Sequence, residues 1–303
     1  MPSLVVIMKR ASLPVFLQAA QQDLSAQALL LLTPQGKVLR TVGEPGLAPE
    51  PMGIALAQTM AAFYRIVAKG TGAQVFFAYE KGDYHIICTG KSNTPFLAAI
   101  YHSIKPPPLG ARKFYLSQTY RQSGLEHIEE PADMGLDAIA TAYFGEAAVF
   151  PGEGHAALLE ALKTAAEDMQ ARLVLAADEG GNTLEVVGDV RSLPPAEISA
   201  LAALSMAALW EAIPTQPSHT EQGCTFLDGP EGAVFLAQRA EGLLFLSVLP
   251  RQGAAGMARL TMKNLLRQEW EKTLSRIETP FEFGTLEEVS LEDLWGGEDY
   301  HAN

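Results

Sequence analysis

Short runs of apolar positions separated by turn residues cover much of the chain, and one arrangement of them occurs twice. The stretch ALLLLTPQGKVLRTVGE (28–44) predicts two strands around a tight turn, and RLVLAADEGGNTLEVVGD (172–189) predicts the same. A helical segment precedes each pair of strands, at 16–27 and at 157–171. Self-similarity at a fixed spacing indicates a duplicated unit.

The similarity continues after these hairpins. GIALAQTMAAFYRIVAKG (53–70) and EISALAALSMAALWEAIP (197–214) both predict a helix, and Met206 of the second follows Met60 of the first by 146 positions. Prolines stand before each helix, where they are typical of a helix start. The duplication therefore extends beyond the hairpin to a whole domain.

Three short strands and a last helix complete each unit. The third strands are predicted at 75–79 and 224–228, and the last helices at 109–122 and 255–268. Strands joined by tight turns pair antiparallel, because parallel strands need a long crossover. The prediction is an α+β fold with two α/β/α sandwich domains, each a five-stranded antiparallel sheet with helices on both faces.

The second helix of each unit is apolar around most of its circumference. A helix of this kind is buried on more than one side. One side can pack on its own sheet, and the nearest partner for the other is the equivalent helix of the other unit. We therefore expect the two units to pair within the chain, as an intramolecular pseudo-dimer. The alternative is that the apolar surface only reflects an alanine-rich sequence.

The order of elements, the paired hairpins, the two MAA-containing helices and the glycine-led last helices resemble the roadblock/dynein light chain domain family. The resemblance implies a profilin-like sandwich that pairs through the second helix and the third strand. It also implies a platform for small Ras-like GTPases or other assembly partners. The residues that carry it are patterns and not invariant motifs, so no GTPase-contacting residue is transferred by it.

The repeat predicts how the chain is divided. Residues 1–13 form an extension, 14–122 the first roadblock-like domain and 157–277 the second. Between them lies an acidic connector, 123–156, with a short predicted helix, and 278–303 form an acidic tail.

Candidate interaction residues lie on the second helices and third strands, because that is where the units are expected to pair. They are Met60, Tyr64, Val75, Phe77, Met206, Trp210, Thr225 and Leu227.

The tail is a second candidate for docking, because apolar residues punctuate its acidic background. These are Phe281, Phe283, Leu291, Leu294 and Trp295. Two interpretations remain open: the tail binds a groove on a partner, or it folds back over an edge of its own sheet.

The formal net charge of −13 lies mostly outside the repeats, because the connector and the tail are rich in Asp and Glu and poor in Lys and Arg. No basic stripe interleaved with aromatic residues is present, so nucleic-acid binding is not expected. Anionic membrane surfaces are disfavoured for the same reason. The first residues do not follow the order of a signal peptide, and Cys88 and Cys224 are expected to be reduced core residues, which together predict a cytoplasmic protein.

Signatures of catalysis are missing from the sequence. The six histidines are scattered singly, with no metal-binding spacing, and no nucleophile elbow occurs. Gly90-Lys91-Ser92 resembles the end of a phosphate loop, but position 85, where the first glycine would stand, is His85. We expect no catalytic residue, no metal and no cofactor.

Two functions remain after these exclusions. The first is a non-catalytic platform that regulates or scaffolds a small Ras-like GTPase or a similar signalling or motility partner. The alternative is a pair of PAS- or GAF-like sensor domains, which also place helices on an antiparallel sheet but need a ligand cavity. The sequence leaves open whether the paired units associate further into a homo-oligomer.

Overall fold

Six α-helices and ten strands make up the part of the chain that the structure, a computed structural model, describes. The described residues are 13–68, 73–128, 155–213, 222–239, 243–250, 255–268 and 270. The predicted connector helix and the five tail residues named above lie outside them. The domain limits stay a prediction.

The first half of the chain contains three helices and five strands. They are α1 (Leu13–Asp23), β1 (Ala28–Leu32), β2 (Val38–Gly43), α2 (Pro49–Ala68), β3 (Val75–Lys81), β4 (Tyr84–Gly90), β5 (Phe96–His102) and α3 (Leu109–Ser123). A single turn of 3₁₀-helix, Leu125–His127, follows α3.

The second half repeats this order. Its elements are α4 (His155–Met169), β6 (Leu173–Ala177), β7 (Thr183–Gly188), α5 (Pro195–Ala212), β8 (Gln222–Gly229), β9 (Gly232–Arg239), β10 (Leu244–Pro250) and α6 (Ala255–Arg267). As predicted, prolines stand at the starts of α2 and α5. Proline is favoured there because its missing N–H would have no partner inside the helix.

All ten strands belong to one antiparallel sheet, in the order β2-β1-β5-β4-β3-β8-β9-β10-β6-β7. Each half contributes five adjacent strands, and β3 and β8 meet in the middle. The predicted fold class is therefore confirmed, with two five-stranded units side by side. We call the contact between β3 and β8 the junction.

Helices cover both faces of this sheet. On one face, α2 and α5 pack on a core shared by both units, which includes Leu56, Phe63, Met206 and Leu209. On the other face, α1 and α3 cover the first unit and α4 and α6 cover the second, each over its own core. The strands near the junction are buried on both faces, which explains their continuous apolar runs.

The turn of each opening hairpin packs against the second helix of its unit. In the first unit Gly36 has a φ of +86°, and a Cβ added to it would lie 2.3 Å from the carbonyl oxygen of Gly53 in α2. In the second unit Gly181 has a φ of +83°, and an added Cβ would lie 2.9 Å from the Cα of Ala200 in α5. Glycine supplies both the left-handed backbone and the close approach, so the repeated hairpin sets the position of the repeated helix.

Candidate functional site

The junction is formed by seven-residue and eight-residue strands that run past the predicted limits. Six residue pairs join them, from Phe76 opposite Asp228 to Lys81 opposite Gly223. The sequence predicts strands at 75–79 and 224–228, which leaves Glu80 and Lys81 outside the third strand. In the structure both belong to β3, and both contact the other unit.

Helices α2 and α5 pack against each other across the junction. Of the eight candidate interaction residues, six are buried here: Met60, Val75, Phe77, Met206, Thr225 and Leu227. Tyr64 and Trp210 are partly buried beside them. The structure therefore brings the whole set together, but between the two units and not on a surface open to another molecule. That any of them contacts an outside partner stays a prediction.

Polar contacts within this set explain how it packs. The hydroxyl of Thr225 donates to the sulfur of Met206 at 3.2 Å, and the thiol of Cys88 lies 3.5 Å from the sulfur of Met60. The hydroxyl of Tyr64 donates to the carbonyl oxygen of Ala73 at 2.7 Å. A flexible methionine of each second helix thus packs against a small polar side chain of the sheet.

A buried lysine of the first unit caps a helix of the second. The ammonium of Lys81 donates to the carbonyl oxygens of Trp210 and Ile213, at 2.9 and 2.8 Å, and lies 4.2 Å from the centre of the Trp210 ring. The carbonyl groups at a helix C-terminus have no partner within the helix, and a cation there also interacts favourably with the helix dipole. Lys81 therefore satisfies the end of α5 from across the junction.

A carbonyl group at the C-terminal end of α2 likewise accepts a hydrogen bond from the other unit. The backbone N–H of Glu231, in the turn between β8 and β9, donates to the carbonyl oxygen of Val67 at 2.9 Å. A Cβ on Gly229 would lie 2.4 Å from the same oxygen, so only glycine allows this approach. The C-terminal end of each paired helix is thus hydrogen-bonded to the other unit.

Ion pairs also cross the junction, on the opposite face of the sheet. Arg259 of α6 contacts Glu80 of β3, and Lys113 of α3 contacts Asp228 of β8. Arg259 follows Lys113 by 146 positions, the spacing of the repeat. The two pairs are therefore equivalent contacts, each joining a last helix to the third strand of the other unit.

The Glu80 pair is the more buried of the two. Burial raises the pKa of the Glu80 carboxyl, but the hydrogen bond from His85 and the charges of Arg259 and Lys263 outweigh it and lower the pKa to about 2. The side chain of Glu80 is 15% exposed, and Lys263 lies 3.8 Å from it. The carboxylate is thus held ionised by His85 of its own unit together with Arg259 and Lys263 of the other unit.

The outward side of α2 and α5 forms a continuous surface to which both units contribute. Small or apolar residues predominate there, including Ile54 and Ala61 on α2 and Leu204 and Ala207 on α5, all exposed or partly exposed. We call the outward side of these two helices the helix-pair platform. Charged residues such as Arg65 and Glu211 lie toward the C-terminal ends of the helices.

Neither cysteine forms a disulfide, and both are buried, as predicted. Burial raises the pKa of the Cys88 thiol well above its usual value and raises that of Cys224 to about 11. Since the thiolate is the reactive form, both thiols are protected.

We expect a thiol reagent at about pH 8 to label neither cysteine in the folded protein and to label both in concentrated urea. A Val15→Cys variant, with its new thiol on the exposed side of α1, is the positive control and should react at once. Rapid reaction of Cys88 or Cys224 under native conditions would contradict the packing described here. The absorbance of the coloured group that the reagent releases when it reacts with a thiol measures the outcome.

The described residues give little support for a phosphate-binding loop or a metal site. Gly90 is the last residue of β4, Lys91 and Ser92 lie in the turn before β5, and the ammonium of Lys91 pairs with Glu126 at 3.0 Å. Within the described ranges, no group of three His, Cys, Asp or Glu side chains is placed to hold a metal ion. No helix among the same residues is long and apolar enough to cross a membrane.

Comparisons with known proteins give matches among solved structures alone. No family model matches the chain, and no curated protein matches it significantly. MglB of Myxococcus xanthus is 15% identical, with a TM-score of 0.31 over 40% of this chain and 94% of that chain. The gliding protein MglB of Thermus thermophilus is 18% identical, with a TM-score of 0.28 over 44% and 96%. The DhaR(N)–DhaL complex of E. coli gives 13% identity and a TM-score of 0.21 over 80% and 87%.

Proposed function

We propose that this protein is a non-catalytic interaction platform for a small Ras-like GTPase, as a regulator or scaffold. The observation that carries the proposal is the helix-pair platform, to which both units contribute. The sequence resemblance to the roadblock/dynein light chain family supports the same class of partner, since paired domains of that family present such a surface.

The shape and chemistry of the helix-pair platform suit a protein partner. Two long helices side by side, 20 residues in α2 and 18 in α5, give a broad surface. Alanines at Ala61 and Ala207 allow close approach of another backbone, and Ile54 and Leu204 provide apolar contact area. A patch of this kind is typical of protein interaction sites.

An arginine at the centre of the platform is expected to weaken partner binding strongly. In the Ala61→Arg variant a long charged side chain stands where a partner would approach, so we expect affinity for a Ras-like GTPase to fall about tenfold or more, which is about 1.4 kcal/mol. Calorimetric titration with purified GTPases in their GDP-bound and GTP-bound forms measures the change. Ala111→Arg, a similarly exposed alanine on α3 on the opposite face, is the matched control and should bind like the unaltered protein.

Equal loss of affinity in both variants, or none in either, would contradict the helix-pair platform as the binding surface. Failure of every GTPase to bind, with another protein bound at the same surface, would exclude the GTPase and keep the platform. These two results are distinguishable because the same pair of variants is used for each candidate partner.

The alternative of a small-molecule sensor is tested by the contents of the purified protein. A pocket of about 230 Å³ does exist, but it lies at the junction and not inside either unit, where a PAS- or GAF-like domain would bind its ligand. Native mass spectrometry of the full chain should show the mass of the polypeptide alone. A retained small molecule would favour the sensor.

A further inference from the structure

A groove crosses the junction on the face opposite the helix-pair platform. Its floor includes Ala78 of β3 and Phe226 of β8, and its walls include Leu109 of α3 and Gly256 of α6. The pocket of about 230 Å³ lies in this groove. Because its floor and walls come from both units, the groove exists only when the units are paired. We call it the junction groove.

The two helices that wall the junction groove expose large apolar side chains. Phe114 and Tyr115 are exposed on α3, and Met257 and Leu260 on α6. Phe114 is 63% exposed and Leu260, 146 positions later, is 55% exposed. Large apolar side chains exposed on neighbouring helices are typical of a surface that another segment covers.

The two helices beside the groove also carry a surplus of positive charge, in a chain whose net charge is −13. Arg112 and Lys113 lie on α3, and Arg259 and Lys263 lie on α6, whereas the carboxylates that face them are Glu80 and Asp228. Arg259 and Glu80 line the pocket itself, and among all six charged groups on and beside it the cations exceed the anions by 4 − 2 = 2.

Arg112 adds a buried positive charge on the α3 side of the groove. Its side chain is buried, with the residue 4% exposed and the guanidinium 5.2 Å from the ring of Tyr101, and its Nε and Nη1 atoms have no hydrogen-bond partner among the described residues. A buried cation without such partners is costly. Burial lowers the pKa of Arg112, and the opposing charge of Glu80 only partly offsets this.

We propose that the junction groove binds the chain's own C-terminal segment, 278–303. This segment contains eight acidic residues and no Lys or Arg, together with three Phe or Trp residues, Phe281, Phe283 and Trp295. An acidic segment with aromatic residues complements a groove that is apolar and cationic. Because the groove lies opposite the helix-pair platform, the proposal does not depend on the proposed function.

The length of the intervening chain allows this docking. Helix α6 has 13 residues, which span about 20 Å, and the groove lies at its start. Phe281 follows Arg267, the end of α6, by 14 positions, and 14 extended residues reach about 46 Å. Covalent attachment also gives the segment a local concentration in the millimolar range, so weak contacts suffice.

The connector is the competing occupant, because it is also acidic. Residues 129–154 contain six acidic residues, against eight in the equally long segment 278–303. Both segments follow a helix that walls the groove, α3 before the connector and α6 before 278–303, but the connector is also held at its other end by α4. The greater charge of the tail and this second attachment of the connector favour the tail.

Photo-crosslinking in the full chain tests the proposal. We would replace Phe114 by p-benzoylphenylalanine, irradiate the protein, digest it and identify the crosslinked peptides by mass spectrometry. Crosslinks from position 114 to peptides of 278–303 are expected. Ile54, which is 46% exposed on the opposite face, carries the same probe as the matched control and should give severalfold fewer tail crosslinks.

Two further measurements make the outcome decisive. In a mixture of unlabelled and ¹⁵N-labelled protein, the two peptides of each crosslinked pair should carry the same isotope. Pairs that join a labelled peptide to an unlabelled one would show that the tail docks on another chain and would overturn the proposal. Salt at about 1 M shortens the screening length to about 3 Å, so the tail crosslinks should decrease severalfold. Crosslinks to 129–154 in place of the tail, or equal yields from positions 54 and 114, would also overturn the proposal.

Discussion

A Lys81→Met variant is expected to lose about 2–4 kcal/mol of unfolding free energy, because two charge-assisted hydrogen bonds are removed and two helix-terminal carbonyl groups lose their partner. Lys81 is 2% exposed and donates to Trp210 and Ile213 at the end of α5. Methionine has a similar length, so it fills the space beside the Trp210 ring without replacing the donor. The loss therefore reports the contact between the units and not a cavity.

Urea unfolding at about pH 7, followed by circular dichroism, measures this change. Lys37→Met is the matched control, because Lys37 is an exposed lysine in the turn between β1 and β2, and it should change stability by less than about 0.5 kcal/mol. If Lys81→Met were as stable as Lys37→Met, then the ammonium would not hold α5 across the junction.

Replacing Glu80 by glutamine is expected to destabilise the protein at about pH 7 on the order of 3 kcal/mol. A carboxylate whose pKa is lower in the folded than in the unfolded protein stabilises the fold at every pH above the unfolded value, and this contribution disappears as the pH falls through the folded value. For Glu80 the two pKa values are 4.5 and about 2, and the difference of about 2.5 pH units at about 1.36 kcal/mol each gives this estimate.

The two pKa values of Glu80 also predict how the effect of Glu80→Gln on stability depends on pH. The difference between the unaltered protein and Glu80→Gln should be constant above about pH 5 and should shrink as the pH approaches 2. Chemical unfolding at about pH 7, 5, 4 and 3 checks it across this window. A difference that grew on acidification would contradict a lowered pKa.

Asp228→Asn is the matched control for Glu80→Gln, since Asp228 forms the equivalent ion pair with Lys113. The side chains of Asp228 and Lys113 are 28% and 43% exposed, and exposed ion pairs contribute about 0–1 kcal/mol. The Glu80 and Asp228 ion pairs are equivalent by the repeat. We nevertheless expect the Glu80 pair to contribute more to the free energy of unfolding, because it is more buried and has additional partners.

Most of the fold could be predicted from periodicity, because each unit combines strong helical and strand patterns with glycine turns. The hairpins at 28–44 and 172–189 predict the antiparallel strands that are observed in each unit, and the apolar second helices predict that the two units pair. These features depend on local sequence and on how much of a helix is apolar, and both can be read without coordinates.

The contacts that join the units were only partly predictable. The predicted third strand ends at 79, so the sequence does not identify Glu80 and Lys81 as residues of the junction. Their positions in β3 follow from pairing with β8, which extends the strand, and a single sequence does not give the register of two distant strands. The candidate residues of α2 and α5 lie where these helices meet, but the sequence does not show that the contact buries nearly all of the candidate set.

The central claim is that the two units form one sheet through β3 and β8 of the same chain. Nuclear Overhauser contacts between the backbones of Ala78 and Phe226, which lie opposite each other at the junction, test it most directly. In an isotope-labelled protein these cross-peaks should be present, and they should keep their full relative intensity when labelled chains are diluted with unlabelled ones. Absence of the cross-peaks, or their loss on dilution, would contradict intramolecular pairing.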